Sequence, residues 1–471
     1  MLLGLLLPSF AALFSGCSSL KILGYNPVFG HSHANFIGKI ADVLAEAGHE
    51  VVLLTPVMSA RLKNRTSLHA RVIYATVSQE AQEIERKADE ASANLWTADN
   101  ESPLAFLDVA QEMRASFRTQ CEATLSDPRL LERLRSENFD VAYSESLDLC
   151  GFGIFHLLGI RRYATTFSMA LLANAAWHGA PSFPSYVPGI LSSFSDRMTL
   201  LERLLNTIEY GVSGWLMGRF VRDTDDVFAE RFSEMPSLDA IVANSSFFFV
   251  NSEPLIDFPR PVTRKIIDIG GITVPPKSDG VNKFFSNMLA LRRATVLISF
   301  GTIMQSYQMP FEYKQIIREL ALSLPNVKFI WKYERPEDAI ASGISNLITV
   351  EWLPQLELLR DGRISAFISH GGAGSTTEAT LTGVPLVVVP VMGDQLRNGE
   401  MVRRLGNGVI VPLSDFARSG RLERALTKVL TDDRYRNRAA WAASMVAAQP
   451  ESVQHRLVSH FEFMAQFGPL D

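Results

Sequence analysis

The segment His370-Gly371-Gly372-Ala373-Gly374-Ser375 lies between a short apolar run, Ile364–Ser369, and a stretch of small and apolar residues from Thr376 to Leu381. A glycine-rich turn joining a buried strand to a helix aims free backbone N–H groups and the positive end of the helix dipole at one point. That is an anion site, and most naturally a phosphate site. His370, at the carboxyl end of the strand, has an imidazole that can donate to a diphosphate oxygen, and Ser375 offers a hydroxyl and an amide to the same anion. Glu378 follows on the helix, where an acid near a phosphate turn commonly binds a ribose diol. Trp352 presents a flat face for a base, and Asp394-Gln395 present acceptors and donors for sugar hydroxyls. Alone, the glycine pattern is equally a tight strand-to-helix crossing; the ordered set is far more specific.

A second group lies near the amino terminus. Leu20–Tyr25 predicts a strand, followed by a loop and a helix from about Asn35 with Phe36, Ile40, Val43, Leu44 and Ala47 on one face, and then a strand at Val51–Leu54. This βαβ start puts His33 at the loop-to-helix junction above the strand's carboxyl end, where open α/β sheets bind ligands. An imidazole there serves as a general base near neutral pH. A solvated or helix-capping histidine is the plainer alternative, and His31 is read that way. A base of this kind needs a carboxylate to set its tautomer. Phe139–Glu145 reads as a strand ending in an acid; Glu145 is preferred to its rival Asp148, which already lies in the turn.

Trp352–Gln355 (W-L-P-Q), Ser369–Glu378 (S-H-G-G-A-G-S-x-x-E) and Pro385–Gln395 (P-L-x-x-x-P-x-x-x-D-Q) together resemble the signature of UDP-glycosyltransferases, the animal UDP-glucuronosyltransferases in particular. The opening, S-H-x-x-F at Ser32–Phe36 and A-D-x-L-A-x-A-G-H at Ala41–His49, is similar to that family's. The resemblance implies that Trp352 stacks on uracil and Gln355 contacts the nucleoside. It implies that His370 with Gly372, Gly374 and Ser375 holds the diphosphate, Glu378 the ribose, and Asp394 and Gln395 the transferred sugar. Gly374 stands where some members carry a larger polar residue. Val296–Phe300 predicts another strand, and Ser299 with the Gly301-Thr302 turn joins the donor set. By the same resemblance His33 deprotonates an acceptor hydroxyl, supported by Glu145 where members frequently carry Asp. The implied architecture is GT-B: two Rossmann-like domains facing across a cleft. The implied reaction is inverting transfer of glucuronate or glucose from a UDP-sugar to a small lipophilic acceptor, with no metal. A UDP-sugar epimerase and a non-catalytic UDP-sugar-binding protein are the alternatives.

Of 471 residues, 47% are hydrophobic and 20% charged, enough to bury sizeable cores. The net charge of −5 and the absence of a basic run argue against nucleic acid. The expected divisions are a signal peptide (1–18), an acceptor-binding domain (19–252), a linker (253–285), a UDP-sugar-binding domain (286–445) and a carboxyl-terminal helix returning to the first domain (446–471). The leader, whose first charge is Lys21, and sequons at Asn64, Asn100 and Asn244 suggest the secretory pathway and the endoplasmic reticulum lumen. Cys121 and Cys150 form either a bridge or two buried thiols. Family members generally continue into a membrane anchor; membrane association and homo-oligomers are among the expected states. Ser78–Arg114 reads as helical, Ala240–Ser246 as a strand and Val453–Phe467 as the final helix. The apolar Leu149–Pro188 region packs the core and lines an acceptor cavity. Asp223-Thr224-Asp225 reads as acids in a first helical turn rather than a metal site, and no His/Cys cluster has metal-ligand spacing.

Overall fold

The computed structural model describes residues 19–59, 62, 66–97, 105–170, 173–275, 280–418 and 420–470. The expected leader and the sequons at Asn64 and Asn100 lie outside them. Asn244 is an exposed residue capping the helix Leu238–Ala243.

Among the described residues the chain builds two parallel sheets. The first contains β1 (Lys21–Tyr25), β2 (Glu50–Thr55), β3 (Arg71–Tyr74), β4 (Val141–Glu145), β5 (Tyr163–Phe167), β6 (Phe247–Val250) and β7 (Ile266–Asp268), in the order β3-β2-β1-β4-β5-β6-β7. The second contains β8 (Ala294–Ser299), β9 (Val327–Lys332), β10 (Leu347–Val350), β11 (Ile364–Ser369), β12 (Leu386–Val388) and β13 (Gly408–Ile410), in the order β10-β9-β8-β11-β12-β13. The inner strands β1, β4, β5, β8 and β11 are buried along almost their whole length. Strands covered by helices on both faces must be nearly continuous apolar runs, which is how these read. In each sheet the strand order reverses beside the first strand, between β1 and β4 and between β8 and β11. Such a switch point leaves a crevice at the carboxyl ends of the strands. All of the candidate chemistry lies at those two places or just beyond them.

Several expectations need correction. The first helix starts at His31 rather than Asn35, because Gly30, extended at φ −137°, turns the chain straight from the loop into the helix. Ala240–Ser246 is not a strand: Leu238, Ile241 and Val242 are buried at helical spacing on the helix Leu238–Ala243, and β6 follows it. The stretch taken as linker contains β7, whose residues pair with β6 (Phe248 opposite Ile266), so the first sheet runs on to Asp268. A three-residue edge strand among prolines has too little pattern to be legible. Asp223 and Asp225 lie near the end, not the start, of the helix Leu200–Ala229, which begins at a capping box made by Thr199 and Glu202. Asp223 pairs with Arg114 at 2.5 Å and Asp225 accepts from the Leu238 N–H at 2.7 Å, so helix packing employs both acids.

Several contacts tie the halves together, two of them through buried apolar side chains. Trp96, from the segment between the helices Gln79–Ala91 and Ala105–Leu125, is fully buried in the core of the second sheet. Its ring lies 5.2 Å from that of Phe300, and its Nε1–H donates to the Gln305 carbonyl at 3.3 Å. The final helix, Val453–Phe467, buries Leu457, Phe461 and Met464 in the core shared by β1, β4 and the helix His31–Glu46. Phe461 stacks on Phe249 with ring centroids 5.3 Å apart. No helix among the described residues is long and apolar enough to cross a membrane.

Cys121 and Cys150 form a disulfide. It joins the helix Ala105–Leu125 to the helix Cys150–Leu157 that follows the β4 turn. Closing a loop of 29 residues stabilises by about 3–4 kcal/mol in the chain-entropy picture. The Cys121→Ser/Cys150→Ser variant is therefore expected to melt several degrees lower by calorimetry, and an unchanged Tm would show the bridge to be dispensable.

Candidate active site

β1 and β4 pair in register, with Tyr25 opposite Ser144, so the residues just beyond their ends are neighbours. The turn after β1 leads into the helix His31–Glu46, whose first turn carries His33. β4 ends on Glu145. His33 Nδ1 lies 2.9 Å and 3.0 Å from the two Glu145 carboxylate oxygens. Ser168, just past β5, completes the cluster: its N–H donates to Glu145 at 2.9 Å and its Oγ lies 2.8 Å from His33 Nδ1. Phe29 packs on the imidazole at 4.7 Å between ring centroids and holds its plane. With the Nδ1 proton directed at Glu145, the ring carries its lone pair on Nε2. Burial opposes the charged form of His33, but Glu145 outweighs it and raises the imidazole above its ordinary value. Burial likewise works against the Glu145 carboxylate, and His33 and Ser168 more than offset it, holding the group below its ordinary range. Asp148 is occupied elsewhere, accepting from the Tyr25 hydroxyl at 3.2 Å and the Cys150 N–H at 3.0 Å. Burial pushes it up to about 7.

The second sheet repeats the arrangement. Ser299 on β8 stands opposite Ser369 on β11, which brings the Gly301 turn against His370. Gly301 has φ +89°, and a Cβ there would come within 2.8 Å of the His370 ring; one on Gly372 would come within 2.5 Å of His370 Nε2. Both glycines are the cradle of that imidazole. The Nδ1 atom of His370 is buried, and burial, aided by Lys332 and opposed by a hydrogen bond with the Ser299 backbone, pushes the imidazole down to about 4. It is thus a neutral ring at a helix N-terminus, since the helix Ala373–Leu381 starts here.

Farther out, Gln355 Nε2 donates to Ser375 Oγ at 3.1 Å and to Glu378 at 2.8 Å, gathering three of the donor-site residues. Burial raises Glu378 to about 7. Trp352 keeps 48% of its surface exposed, with Lys332 Nζ 5.2 Å from its ring centroid and His31 packed edge-on at 6.2 Å. The indole platform therefore abuts the helix that carries His33. Asp394, at the N-terminus of the helix Gln395–Leu405, accepts from Asn398 Nδ2 at 2.8 Å and is electrostatically coupled to His33 across the two halves. Gln395 differs from expectation in one respect. Its Oε1 closes the preceding loop by accepting from the Val391 and Met392 N–H groups at 2.8 and 3.0 Å, leaving the Nε2 amide as the group it can offer a sugar.

The family model described as UDP-glucoronosyl and UDP-glucosyl transferase matches residues 25–467. This chain belongs to the UDP-glycosyltransferase family. Human 2-hydroxyacylsphingosine 1-beta-galactosyltransferase is 27% identical over 97% of this chain and 82% of its own length. A provisionally assigned Caenorhabditis elegans UDP-glucuronosyltransferase, ugt-48, is 26% identical over 96% of this chain and 87% of its own. Among solved structures, spinosyn forosaminyltransferase SpnP superposes with TM-score 0.62 at 17% identity, covering 96% of this chain and 100% of that one. The kitacinnamycin glycotransferase gives 0.61 at 17% identity, over 95% and 98%. These likenesses establish the GT-B fold, and family membership makes the chain a glycosyltransferase with a UDP-sugar as co-substrate.

As a UDP-glycosyltransferase the chain shows some functional neighbours that its sequence did not single out. Ser168 lies within the apolar Leu149–Pro188 region, and nothing in its spacing tied it to His33. Lys332 hides inside β9; its Nζ donates to the Gly301 carbonyl at 2.5 Å and so braces the turn under His370. Asn398 bridges Asp394 and the Gly371 carbonyl, at 2.8 and 3.0 Å, joining the Asp394 turn to the glycine turn after β11. Among the described residues no three His, Cys, Asp or Glu side chains are grouped to hold a metal.

Glu378 also yields a prediction. Its carboxyl is raised to about 7 in the folded chain, so the folded state binds the extra proton and loses stability as pH rises through that value. Glu378→Gln is expected to melt higher than the parent at pH 8 yet bind UDP about tenfold more weakly, because a ribose diol loses a charged acceptor. Differential scanning fluorimetry and calorimetric titration read the two effects. Unchanged UDP affinity would remove Glu378 from the nucleotide site.

Proposed function

We propose that this chain transfers a hexose from a UDP-sugar to a hydroxyl of a small lipophilic acceptor, with inversion at the anomeric carbon. The observation that carries the reading is the His33–Glu145 pair, 2.9 Å apart, at the switch point of one sheet and electrostatically coupled to Asp394 beyond the switch point of the other. His33 Nε2 takes the acceptor's proton while that oxygen attacks the anomeric carbon from the face opposite the diphosphate. The bond from that carbon to the diphosphate oxygen breaks, and its electron pair leaves with UDP. Glu145 stabilises the imidazolium. The helix N-terminus at Gly372–Ser375 and the neutral imidazole of His370 stabilise the departing diphosphate, the charge that develops as the bond breaks. Trp352 carries the uracil, with Gln355 and Glu378 at the nucleoside and Asp394 and Gln395 at the sugar. Ser299, Gly301 and Thr302 shape the floor.

One displacement on an α-linked donor gives a β-glycoside, the linkage that the name of the human relative carries. That relative's acceptor is a sphingoid lipid by its name, which supports an apolar acceptor site here. Among the described residues of Leu149–Pro188, Phe152, Phe155 and Phe167 are buried in the core, and the remaining apolar side chains of that stretch are the ones to line the acceptor site.

The decisive assay is UDP release by the purified chain with phenolic and sphingoid acceptors, using UDP-glucuronate, UDP-glucose and UDP-galactose in parallel. Proton NMR of the product reads the anomeric configuration. Acceptor-dependent release with a β product is expected. A product of retained configuration, or UDP binding with no turnover on any donor, would sink this mechanism.

A further inference from the structure

The helix Gln395–Leu405 begins on the residue after Asp394, yet it is held from the opposite half of the molecule. Arg397, one turn into it, is 1% exposed. Its guanidinium donates to Asp257 Oδ1 at 2.5 Å and to the Pro188 carbonyl at 3.4 Å, and it lies 5.1 Å from the Phe258 ring centroid. These partners all precede the second sheet: Asp257 and Phe258 follow β6, and Pro188 lies in the apolar stretch after β5. The Asp257 carboxyl is wholly buried, and burial would raise it, but Arg397 and Arg260 hold it below its ordinary range. Glu209 and Tyr210 complete the charged surroundings. Two turns later Arg404 reaches Asp196 at 2.8 Å, a second tie to the same half but a partly exposed one.

A wholly buried ion pair is a poor way to gain stability, since desolvating two charges consumes most of their attraction; apolar side chains of similar size often serve as well or better. What such a pair does supply is a defined geometry, because any displacement strands a charge away from water. Here the geometry it defines is that of Asp394. Asp394 sits one helical turn from Arg397, feels both Arg397 and His33, and belongs to a different half from His33. Nothing in the covalent chain sets the distance between them.

We infer that the Arg397–Asp257 pair is a positioning device that fixes the sugar-binding turn at Asp394-Gln395 against the His33–Glu145 base across the cleft. Its effect on turnover rests on the reading of Asp394 as a sugar contact and His33 as the base. Losing the pair displaces the sugar relative to the acceptor oxygen but leaves the nucleotide held by its own residues. A misplacement of about 1 Å costs on the order of 100-fold in rate when reacting atoms must meet in line.

The test compares the full chain with Arg397→Met, Asp257→Asn and the Arg397→Met/Asp257→Leu double variant. Each is measured for Tm, UDP Kd by calorimetry, kcat with saturating donor, and titration of the His33 imidazole by NMR of the 13C-labelled histidines. Arg397→Met is expected to melt lower, because the buried Asp257 loses its hydrogen-bonded cation and keeps only Arg260, and the double variant to recover part of that loss. UDP Kd should stay within about threefold of the parent throughout, while kcat falls about 10- to 100-fold in the double variant and about threefold or more in Asp257→Asn. The His33 titration should move away from the parent's in both. A double variant, or a folded Asp257→Asn, with parental kcat and an unmoved His33 titration would overturn the inference and leave the pair a packing feature. So would a loss of UDP affinity equal to the loss of kcat. If the parent itself shows no turnover, the transfer mechanism fails separately. The His33 titration then decides on its own: moved, the pair positions the two halves; unmoved, it does not.

Discussion

His33→Ala is expected to lower acceptor-dependent kcat/KM by about 10²- to 10⁴-fold, the range that a positioned general base contributes. UDP affinity should stay within about twofold, because the nucleotide residues lie around the second sheet, and calorimetry with UDP checks that. The pH profile makes the prediction sharper. Burial works against the protonated ring, yet Glu145 prevails, so the folded imidazole titrates above the ordinary histidine value of about 6.5. A base must be unprotonated to act, so kcat/KM should climb with pH through a midpoint above 6.5 rather than below it. The same shift has a stability consequence of opposite sense. A raised folded value means that the charged pair contributes stability fully below about 6.5, and that this contribution disappears as pH rises through the folded midpoint. In Glu145→Gln the raising partner is gone and burial is left to act, so the midpoint should fall below 6.5 as turnover drops. An acid limb that stays in place in that variant would show that Glu145 does not set the protonation of His33.

Gly301→Ala is expected to weaken UDP binding about 10- to 100-fold. Two costs add. At φ +89° an L side chain suffers a penalty of about 1–2 kcal/mol. The new methyl would also come within 2.8 Å of the His370 Cε1 and Nε2 atoms, so the imidazole must turn out of the diphosphate turn. His370 is packed too tightly to move freely, since a Cβ on Gly372 would already meet it at 2.5 Å. Gly343→Ala is the matched control: at φ +79° it carries the same backbone penalty, but a Cβ there meets nothing within 4 Å. Calorimetric UDP titration of both variants is the measurement. Equal affinities would show that the β8 turn and His370 do not act together on the nucleotide.

Much of the site was legible because its spacing is local. Trp352–Gln395 is a single strand–turn–helix–strand–turn sequence, so backbone geometry alone brings His370, Ser375 and Glu378 to one end of one sheet. The first helix and β4 were legible for the same reason, which is why His33 and Glu145 stood out separately. Short elements were not. β7 has three residues and the helix Leu238–Ala243 has six, too few to separate a period of two from one of 3.6. The acids at Asp223 and Asp225 were misplaced because a long helix without a distinct apolar face hides its own start unless its capping box is recognised.

The sequence by itself determined the family, the GT-B class, the two chemical groupings and the order of their residues along the chain. Each of those is read from local runs of strand, turn and helix, whose internal relations are set by strand and helix geometry. Only the tertiary structure decided that Glu145 rather than Asp148 meets His33, since one faces the crevice and the other is held by Tyr25. Folding alone placed Ser168 on both partners, set Trp96 in the second sheet's core, and tied Arg397 to Asp257 across 140 positions of chain. Those pairings depend on how two sheets pack, and packing is a property of surfaces assembled from distant segments, which no local pattern records.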